Sequence, residues 1–501
     1  MSLSKRLVCA TAMLCMLVAC ATVQPERERT AERALAPAAM EHWPGLTQLQ
    51  DTDYIAVLNL GPGALQWRLR TLRAATRSID LQTFIWRDDS AGLAVLREII
   101  AAADRGVRVR ILLDDSFLAH ADPMLRALQK HPSIHYRIYN PLAHRGGNLV
   151  VREMENITDF SRINHRMHNK LLVVDGRIAI IGGRNQADEY FGIRDGQNFR
   201  DFELVTSGPF TQEFSDVFDL YWNDPWSIPI EHLVAAEDAG DITAVRDWLG
   251  PNASDHEDAV QTDRHDWASL FQGGFSGEMQ LLVDAPPDAS PALDAPVQLG
   301  NALVEEIDAV QSDLVLISAY FIPTEALTNA IERATDRGVR VRILTNSLGS
   351  NNHVGAHAAY AKHRPALLLA GAELYELRPD ADTRELYLDA AVVQSILGLH
   401  AKAMIMDQCC VFMGSANMDP RSLRLNTELG VLIDSPELNA KVRQLLDVDM
   451  QAQNAWRVEL DERGGIVWVG EDGTLRHAPP ASFYLRAESW FFGLLPIEGQ
   501  M

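Results

Sequence analysis

The strongest constraint on how this chain can fold is that it contains itself twice. His168-x-Lys170-x4-Asp175, followed by Gly182-Gly183-x-Asn185, returns as His400-x-Lys402-x4-Asp407, followed by Gly414-Ser415-x-Asn417. The two copies lie 232 residues apart (400 − 168). The run from Asp104 to Leu112 recurs unchanged from Asp336 to Leu344, at the same offset. Two separate segments sharing one spacing mean an internal duplication. The 501 residues therefore hold two copies of one unit, each carrying one His and one Lys.

Within each unit, strands and helices alternate. Ser78 to Trp86 reads as a strand. Ser90 to Asp104 reads as a helix, with Leu93, Leu96, Ile99 and Ile100 on one face and Gly106 as its stop. Val107 to Leu113 is a strand, Asp122-Pro123 opens a helix, and Ile134 to Tyr139 is the next strand. The second unit repeats this with Leu314 to Phe321, Thr324 to Thr335 and Val339 to Leu344. Leu171 to Val174 and Ile178 to Ile181 flank Asp175-Gly176, a hairpin turn signal. Through the repeat, Ala403 to Met406 turns at Asp407-Gln408. Asp175 and Asp407 are accordingly expected to be structural turn residues. The alternation predicts an α/β fold with helices outside a sheet.

The remaining segments divide the chain further. Lys5-Arg6 and the apolar run Leu7 to Ala19 fit a secretory leader too short to span a bilayer as a helix. The leader ends in Leu17-Val18-Ala19-Cys20, which resembles the lipobox of bacterial lipoproteins. That resemblance implies a signal peptide over 1–20, lipidation at Cys20, and a membrane-anchored lipoprotein on the periplasmic side of the bacterial envelope. Ala21 favours the outer membrane by the same analogy; the alternative is a plain N-terminal membrane anchor. Residues 21–50 read as a tether, 51–250 as the first half, and 251–298 as a linker containing Asp284-Ala-Pro-Pro-Asp288. The second half is 299–450, where the repeat is expected to stop. The tail 451–501 ends in Trp490-Phe491-Phe492-Gly493-Leu494-Leu495, suited either to a bilayer interface or to packing on the core.

Net charge is −23, from 45 basic and 68 acidic residues. A nucleic-acid binder carries a basic stripe, so a nuclease is disfavoured. Two local basic sets, Arg68, Arg70, Arg73 and Arg77, and Arg105, Arg108 and Arg110, leave local anion binding open. The five cysteines, Cys9, Cys15, Cys20, Cys409 and Cys410, have no zinc-site or disulfide-framework spacing. Cys409-Cys410 read most simply as buried strand residues; a vicinal disulfide is the sharper alternative. His165 reads as a surface residue. His353 and His357 read as solvated helix, since no third ligand accompanies them as a metal pair.

Two histidines, two lysines and two amides in one site have the parts for covalent catalysis on a phosphodiester. One neutral imidazole attacks phosphorus, and the other, protonated, gives its proton to the departing alkoxide. Lys170, Lys402, Asn185 and Asn417 can stabilise charge on the nonbridging oxygens. With lysines in that role, no metal or other cofactor is expected. Asp201 and Glu428 are the candidate orienting carboxylates, each following its own motif histidine at a similar interval.

These paired motifs resemble the signature of the phospholipase D superfamily. Ile157-Thr-Asp-Phe-Ser161 leading into Arg166-Met-His-Asn-Lys170, Gly182-Gly-Arg-Asn185, Asn417-Met-Asp-Pro-Arg-Ser422, Asn426-Thr-Glu428 and Leu494-Leu-Pro496 further resemble bacterial cardiolipin synthases of the C type. The resemblance covers about residues 50 to 501. It implies two phospholipase D-like α/β halves, each a mixed sheet flanked by helices, packed with pseudo-twofold symmetry as a monomer with an internal pseudo-dimer. It implies transphosphatidylation through a phosphatidyl-histidine, with His168 the nucleophile and His400 the acid. Phosphatidylglycerol is the expected acceptor, and a second phosphatidylglycerol or phosphatidylethanolamine the donor, at a membrane surface. A hydrolase releasing phosphatidic acid would use the same residues. A lipid-tethered binding protein with a retired site is disfavoured because every expected His, Lys and Asn is present.

Overall fold

The structure is a computed structural model. It describes residues 23–26, 30–43, 45–46, 51–118, 122–143, 145, 160–235, 240–252, 267–286, 298–473, 475–477, 481–495 and 499. The expected leader with Cys9, Cys15 and Cys20, residues 157–159, Pro496 and most of the Pro/Asp-rich stretch lie outside these.

Two mixed sheets carry the duplication. In the first half the strands are β1 (Tyr54–Leu58), β2 (Ser78–Thr83), β3 (Arg108–Asp114), β4 (Ile134–Tyr139), β5 (Leu171–Val174), β6 (Ile178–Gly182), β7 (Gln197–Arg200), β8 (Glu203–Ser207) and β9 (Ser227–Pro229). The second half has β10 (Glu278–Val283), β11 (Asp313–Ile317), β12 (Arg340–Asn346), β13 (Glu373–Leu377), β14 (Ile396–Leu399), β15 (Ala403–Met406), β16 (Cys410–Gly414), β17 (Leu429–Asp434), β18 (Ala455–Leu460), β19 (Ile466–Val469) and β20 (Leu475–Arg476). The first sheet runs β1-β8-β6-β5-β2-β3-β4-β9 and the second β10-β17-β16-β15-β11-β12-β13-β18-β19-β20. The orders match strand for strand through β18. The repeat therefore reaches outside the boundaries the sequence suggests. β10 comes from the expected linker, and β18 from the expected tail.

The helices form for local reasons repeated in both halves. Asp89 caps Ser90–Asp104 by accepting from Gly92 N (3.2 Å), and Gly106 ends the turn at φ +89°. Thr324 caps Glu325–Asp336 through Leu327 N (3.3 Å), and Gly338 follows at φ +86°. A side-chain acceptor meets one of the otherwise unpaired first-turn N–H groups, and glycine supplies the left-handed exit.

Strand alternation decides which core each residue joins. Leu172 and Val174 turn to the outer layer of the first half, where Leu93, Leu96, Ile99 and Ile100 from the capped helix also lie. Leu171 and Val173 turn the other way, into a core shared with Ala403, Ile405, Val411 and Met413 of the second half. Met404 and Met406 return to the outer layer of that half. The two sheets thus pack face to face through one continuous core. Full burial of each such Leu, Val or Ile stabilises by roughly 1.5–3 kcal/mol.

Each hairpin is pinned to the strand beside it by its aspartate. Asp175 sits at φ +57°, and its carboxylate accepts from Thr76 N (2.9 Å), Arg77 N (2.7 Å), Ser78 N (2.9 Å) and Trp43 Nε1 (3.0 Å). Asp407, at φ +46°, accepts from Ser312 N (2.7 Å), Ser312 Oγ (2.7 Å) and Gln311 N (3.1 Å). Trp43 belongs to the expected tether. Residues 32–43 lie along the first half, with Glu32 N bonded to Asn223 Oδ1 (2.9 Å) and Ala38 N to the Asp175 carbonyl (2.8 Å).

Four readings change. Arg68 pairs with Glu203 (2.6 Å), Arg73 with Glu98 (2.8 Å) and Arg110 with Asp80 (2.7 Å). Those basic residues are therefore committed to internal ion pairs. Cys409 lies in the hairpin turn and Cys410 opens β16; both are half-buried, and they form a vicinal disulfide. His165 is buried, its Nδ1 2.7 Å from the Leu425 carbonyl of the other half. His353 caps the helix Val354–Leu369 through Ala356 N (3.2 Å), while His357 is buried with Nε2 2.7 Å from Arg364. The expected solvated pair is thus split between a cap and the interior. Among the described residues, no helix is long and apolar enough to cross a membrane.

Candidate active site

The site forms where the ends of the two hairpin units meet. His168 and Lys170 lie in the extended segment just ahead of β5, and His400 and Lys402 just ahead of β15, not within the strands themselves. Backbone pairing between halves fixes both segments. β7 runs parallel to β14, with Arg200 opposite Leu399, and His400 N donates to the Arg200 carbonyl (2.8 Å). On the other side Met167 bridges Thr427, and His168 N donates to the Thr427 carbonyl (2.9 Å).

This crossing changes the expected carboxylate partners. His168 Nδ1 lies 2.9 Å from Glu428 Oε2, and His400 Nδ1 lies 2.7 Å from Asp201 Oδ2. Each histidine is therefore held by the carboxylate of the opposite half, not by the one that follows it in its own repeat. The reason is topological. Asp201 directly follows β7, which pairs with the strand leading to His400. Glu428 directly follows Thr427, which pairs with the segment leading to His168. All four groups are buried.

The lysines tie the two histidines into one electrostatic neighbourhood. Lys170 Nζ donates to the His168 carbonyl (2.5 Å), and Lys402 Nζ donates to that of His400. Burial chiefly, then Lys170 and Lys402, hold His168 well below the usual imidazole range. Burial and Lys402, with a smaller push from Lys170, bring His400 down to about 3. Each lysine thus acts on the histidine of the other half as well as its own. Burial lowers Lys170 to about 7 and Lys402 to about 8, against the pull of Glu428 and Asp201.

The carboxylates differ. Burial pushes Glu428 up to about 7, only partly offset by Lys170, Ser415 and Lys402. For Asp201 burial also acts upward, but the charge and hydrogen bond of His400, then Lys402 and Arg184, outweigh it and bring it down to about 2. Arg184 Nη2 (2.7 Å) and Arg200 Nη1 (3.1 Å) both donate to the Asp201 carbonyl. On the other side Ser415 Oγ donates to Glu428 Oε2 (2.5 Å), the same oxygen that meets His168. Its counterpart Gly183 has no room for a side chain: a Cβ there would overlap the Asp201 carboxylate.

The amides are buried nearby. Asn185 Oδ1 accepts from Ile85 N (3.1 Å), and its Nδ2 lies near the Tyr190 hydroxyl but outside hydrogen-bond geometry. Asn417 leaves Oδ1 unpaired, and a half-turn of the amide would present its N–H instead. Buried orphan amides of this kind suit an anionic ligand.

Sequence reasoning missed the rings that hold the imidazoles. Phe84 meets His168 edge-on at 4.9 Å, and Tyr190 meets His400 edge-on at 4.9 Å, with Phe199 at 5.3 Å. Arg184, Arg200 and Asp284 were missed as supports; Asp284 Oδ2 accepts from Glu428 N (3.1 Å). The available signal was repetition: Asp201 is the equivalent of Glu428 just before a strand, and Phe199-Arg200 directly precede it.

The comparisons with known proteins match both halves of the chain. A family model described as "Cardiolipin synthase, PLD-like domain" matches residues 69–222 and 303–450, one block in each half. Cardiolipin synthase C of Escherichia coli (strain K12) is 35% identical over 450 residues, covering 86% of this chain and 92% of its own length. A cardiolipin synthase of Staphylococcus aureus (strain Mu50) is 26% identical over 76% of this chain and 64% of its own. The crystal structure of a phosphatidylserine synthase from Haemophilus influenzae Rd KW20 shares the fold, with a TM-score of 0.56 over 83% of this chain and 91% of that one at 15% identity. This chain, with its two matched halves, belongs to the cardiolipin synthase family of phospholipase D-like proteins.

Proposed function

We propose that this protein is a phosphatidyltransferase that makes cardiolipin through a phosphatidyl-histidine. The observation that carries the reading is the crossed pairing of each histidine with a carboxylate of the other half. It fixes both Nδ1 atoms and leaves both Nε2 atoms for chemistry.

In the first step His168 Nε2 attacks the donor phosphorus. A P–N bond forms, the P–O bond to the headgroup alcohol breaks, and His400 gives its proton to that oxygen. In the second step the neutral His400 takes the proton of the terminal glycerol hydroxyl of phosphatidylglycerol. That oxygen attacks phosphorus and the P–N bond breaks. Glycerol leaves when the donor is phosphatidylglycerol, and ethanolamine when it is phosphatidylethanolamine. One phosphodiester replaces another, so no nucleotide is consumed.

Two differences support His168 as nucleophile. Asp201 is held ionised and offsets part of the burial that keeps His400 uncharged in the free enzyme, so His400 is the imidazole that a bound phosphate can bring to the protonated form the acid requires. Glu428, pushed up to about 7, is only partly ionised near neutral pH and so favours an imidazolium at His168 less than Asp201 does at His400. The substrate phosphate brings a negative charge against Lys170 and Lys402, opposing the lysine charges that depress both imidazoles. Asn185 and Asn417 then serve the nonbridging oxygens.

The leader and Cys20 support anchoring as a lipoprotein on the periplasmic side of the envelope, with the outer membrane favoured. A lipid-modified Cys20 in the mass spectrum of the mature chain would bear this out; an unmodified, uncleaved N-terminus would remove it.

Incubation of purified protein with defined phospholipids tests the function. Cardiolipin that survives EDTA treatment is the expected product. Phosphatidic acid as the dominant product would mean that water intercepts the intermediate, making the enzyme a hydrolase. Activity lost to EDTA and restored by a metal would remove the lysine argument.

A further inference from the structure

The C-terminal helix Phe483–Gly493 presents two apolar faces. Its half-buried stripe, Leu485, Ser489 and Phe492, recurs at helical spacing, and the helix packs against Val354–Leu369. The opposite face of a surface helix is ordinarily polar. Here it is Phe483, Ala487, Trp490 and Leu494, joined by Tyr484 and Phe491. At 100° per residue these six occupy roughly 120° of arc. Arg486 borders the arc on one side and Glu488 on the other. Phe483 is 72% exposed, Tyr484 83%, Trp490 69%, Phe491 55% and Leu494 64%. Among the described residues, every exposed Phe and Tyr lies on this helix.

We propose that this outer face is a bilayer-docking surface, with the aromatic side chains seated in the interface of a phospholipid membrane. Two observations favour lipid as the occupant. The face mixes Trp, Tyr, Phe and Leu with a charged rim, the composition of helices that lie in the plane of a membrane. The supporting helix begins at the site: its cap His353 stacks edge-on with Tyr320 at 5.9 Å, and Arg421 acts on both His353 and His168. Seating the aromatic face would therefore bring the rim of the site to the surface that holds the substrate. The choice of occupant rests on the phospholipid-acting function proposed above.

The test uses the full chain with vesicles of phosphatidylglycerol and phosphatidylethanolamine bearing brominated acyl chains, which quench nearby tryptophan. Wild-type emission is expected to be quenched, and W490F to lose a measurable share of that quenching. Quenching reads the depth of one side chain, so anchoring elsewhere in the chain does not mimic it. F483E/W490E is expected to lose at least about tenfold in activity on vesicles. It should retain activity on short-chain phosphatidylglycerol dispersed in water, since neither residue touches the site. Equal quenching of wild type and W490F, or unchanged vesicle activity in the double variant, would overturn the proposal. So would a wild-type dimer that F483E/W490E splits, because the face would then belong to a second copy. If the double variant loses both activities, the quenching of W490F decides. Wild type inactive on both lipid forms would sink the proposed function and leave the quenching result standing.

Discussion

The two halves of the site are built from the same parts and are not the same. Each gives a His, a Lys, an Asn and a carboxylate, and each lends its carboxylate to the other's histidine. Asp201 is short, lies against Gly183, and has its backbone carbonyl gripped by Arg184 and Arg200. Glu428 is longer and shares one oxygen between His168 and Ser415. A general acid and a nucleophile need opposite protonation states at one pH, and symmetric pockets could not provide them. The Asp201/Gly183 and Glu428/Ser415 difference is a physical means of breaking that symmetry.

The largest effects test whether the halves share one reaction. H168A and H400A are each expected to lower turnover by at least ~10⁴-fold, since neither remaining histidine can do both jobs. Only H168A should also abolish the covalent intermediate. Enzyme incubated with phosphorus-labelled donor and quenched in alkaline denaturant, which preserves a P–N bond, should carry label at His168 in wild type. Label at His400 would reverse the roles, and near wild-type turnover in either variant would break the shared site.

Next come the carboxylates. D201N is expected to reduce kcat by about 10²–10⁴-fold, because the imidazolium at His400 loses its counter-charge. E428Q should cost only about tenfold, the worth of one hydrogen bond to a group already only partly ionised. G183S should behave like D201N, since a side chain at 183 displaces the Asp201 carboxylate. Steady-state kinetics on the three variants decides this, and E428Q as damaging as D201N would end the claimed inequality.

Much of this comparison was legible in the residues, and the illegible part has a definite cause. The duplication located both motifs, both hairpins and the structural aspartates, because turn chemistry and strand period are local. It also picked out Asp201 and Glu428. What it assigned wrongly was which histidine each serves, since that depends on β7 pairing with β14, and those strands lie about two hundred residues apart. Phe84, Tyr190 and Phe199 were invisible for the same reason: an aromatic residue beside a strand looks like core until its neighbour is known. β10 was hidden in a stretch whose prolines and aspartates dominate the reading, and β18 because its first-half counterpart β9 is only three residues long.

The lysines give a smaller and directional effect. A lysine with a depressed pKa is charged only below that value. Lys170, at about 7, and Lys402, at about 8, should therefore lose charge as pH rises through this range. For the free enzyme, kcat/KM is expected to fall at least ~10-fold between pH 7 and 9. The limb in kcat should lie higher, because a bound phosphodiester favours both ammoniums. K170R should move the kcat/KM limb upward toward that of Lys402, since arginine keeps its charge across this range. A profile flat to pH 9.5 in wild type would show that the lysines do not carry the phosphate's charge.

The smallest effect is the most specific to the comparison. S415G makes the second half resemble the first by removing a hydrogen bond that lowers Glu428. Loss of that bond should raise the Glu428 carboxyl further and reduce kcat by about fivefold, roughly 1 kcal/mol. The reduction should be present at neutral pH and should not alter the D201N phenotype, because Ser415 touches only the Glu428 side. The reverse exchange, G183S, is not equivalent, because a side chain at 183 displaces the Asp201 carboxylate. If S415G leaves the pH profile of kcat/KM unmoved while lowering kcat, Ser415 positions His168 through Glu428 without tuning its proton. If both are unmoved, the inequality between the halves rests on carboxylate length alone.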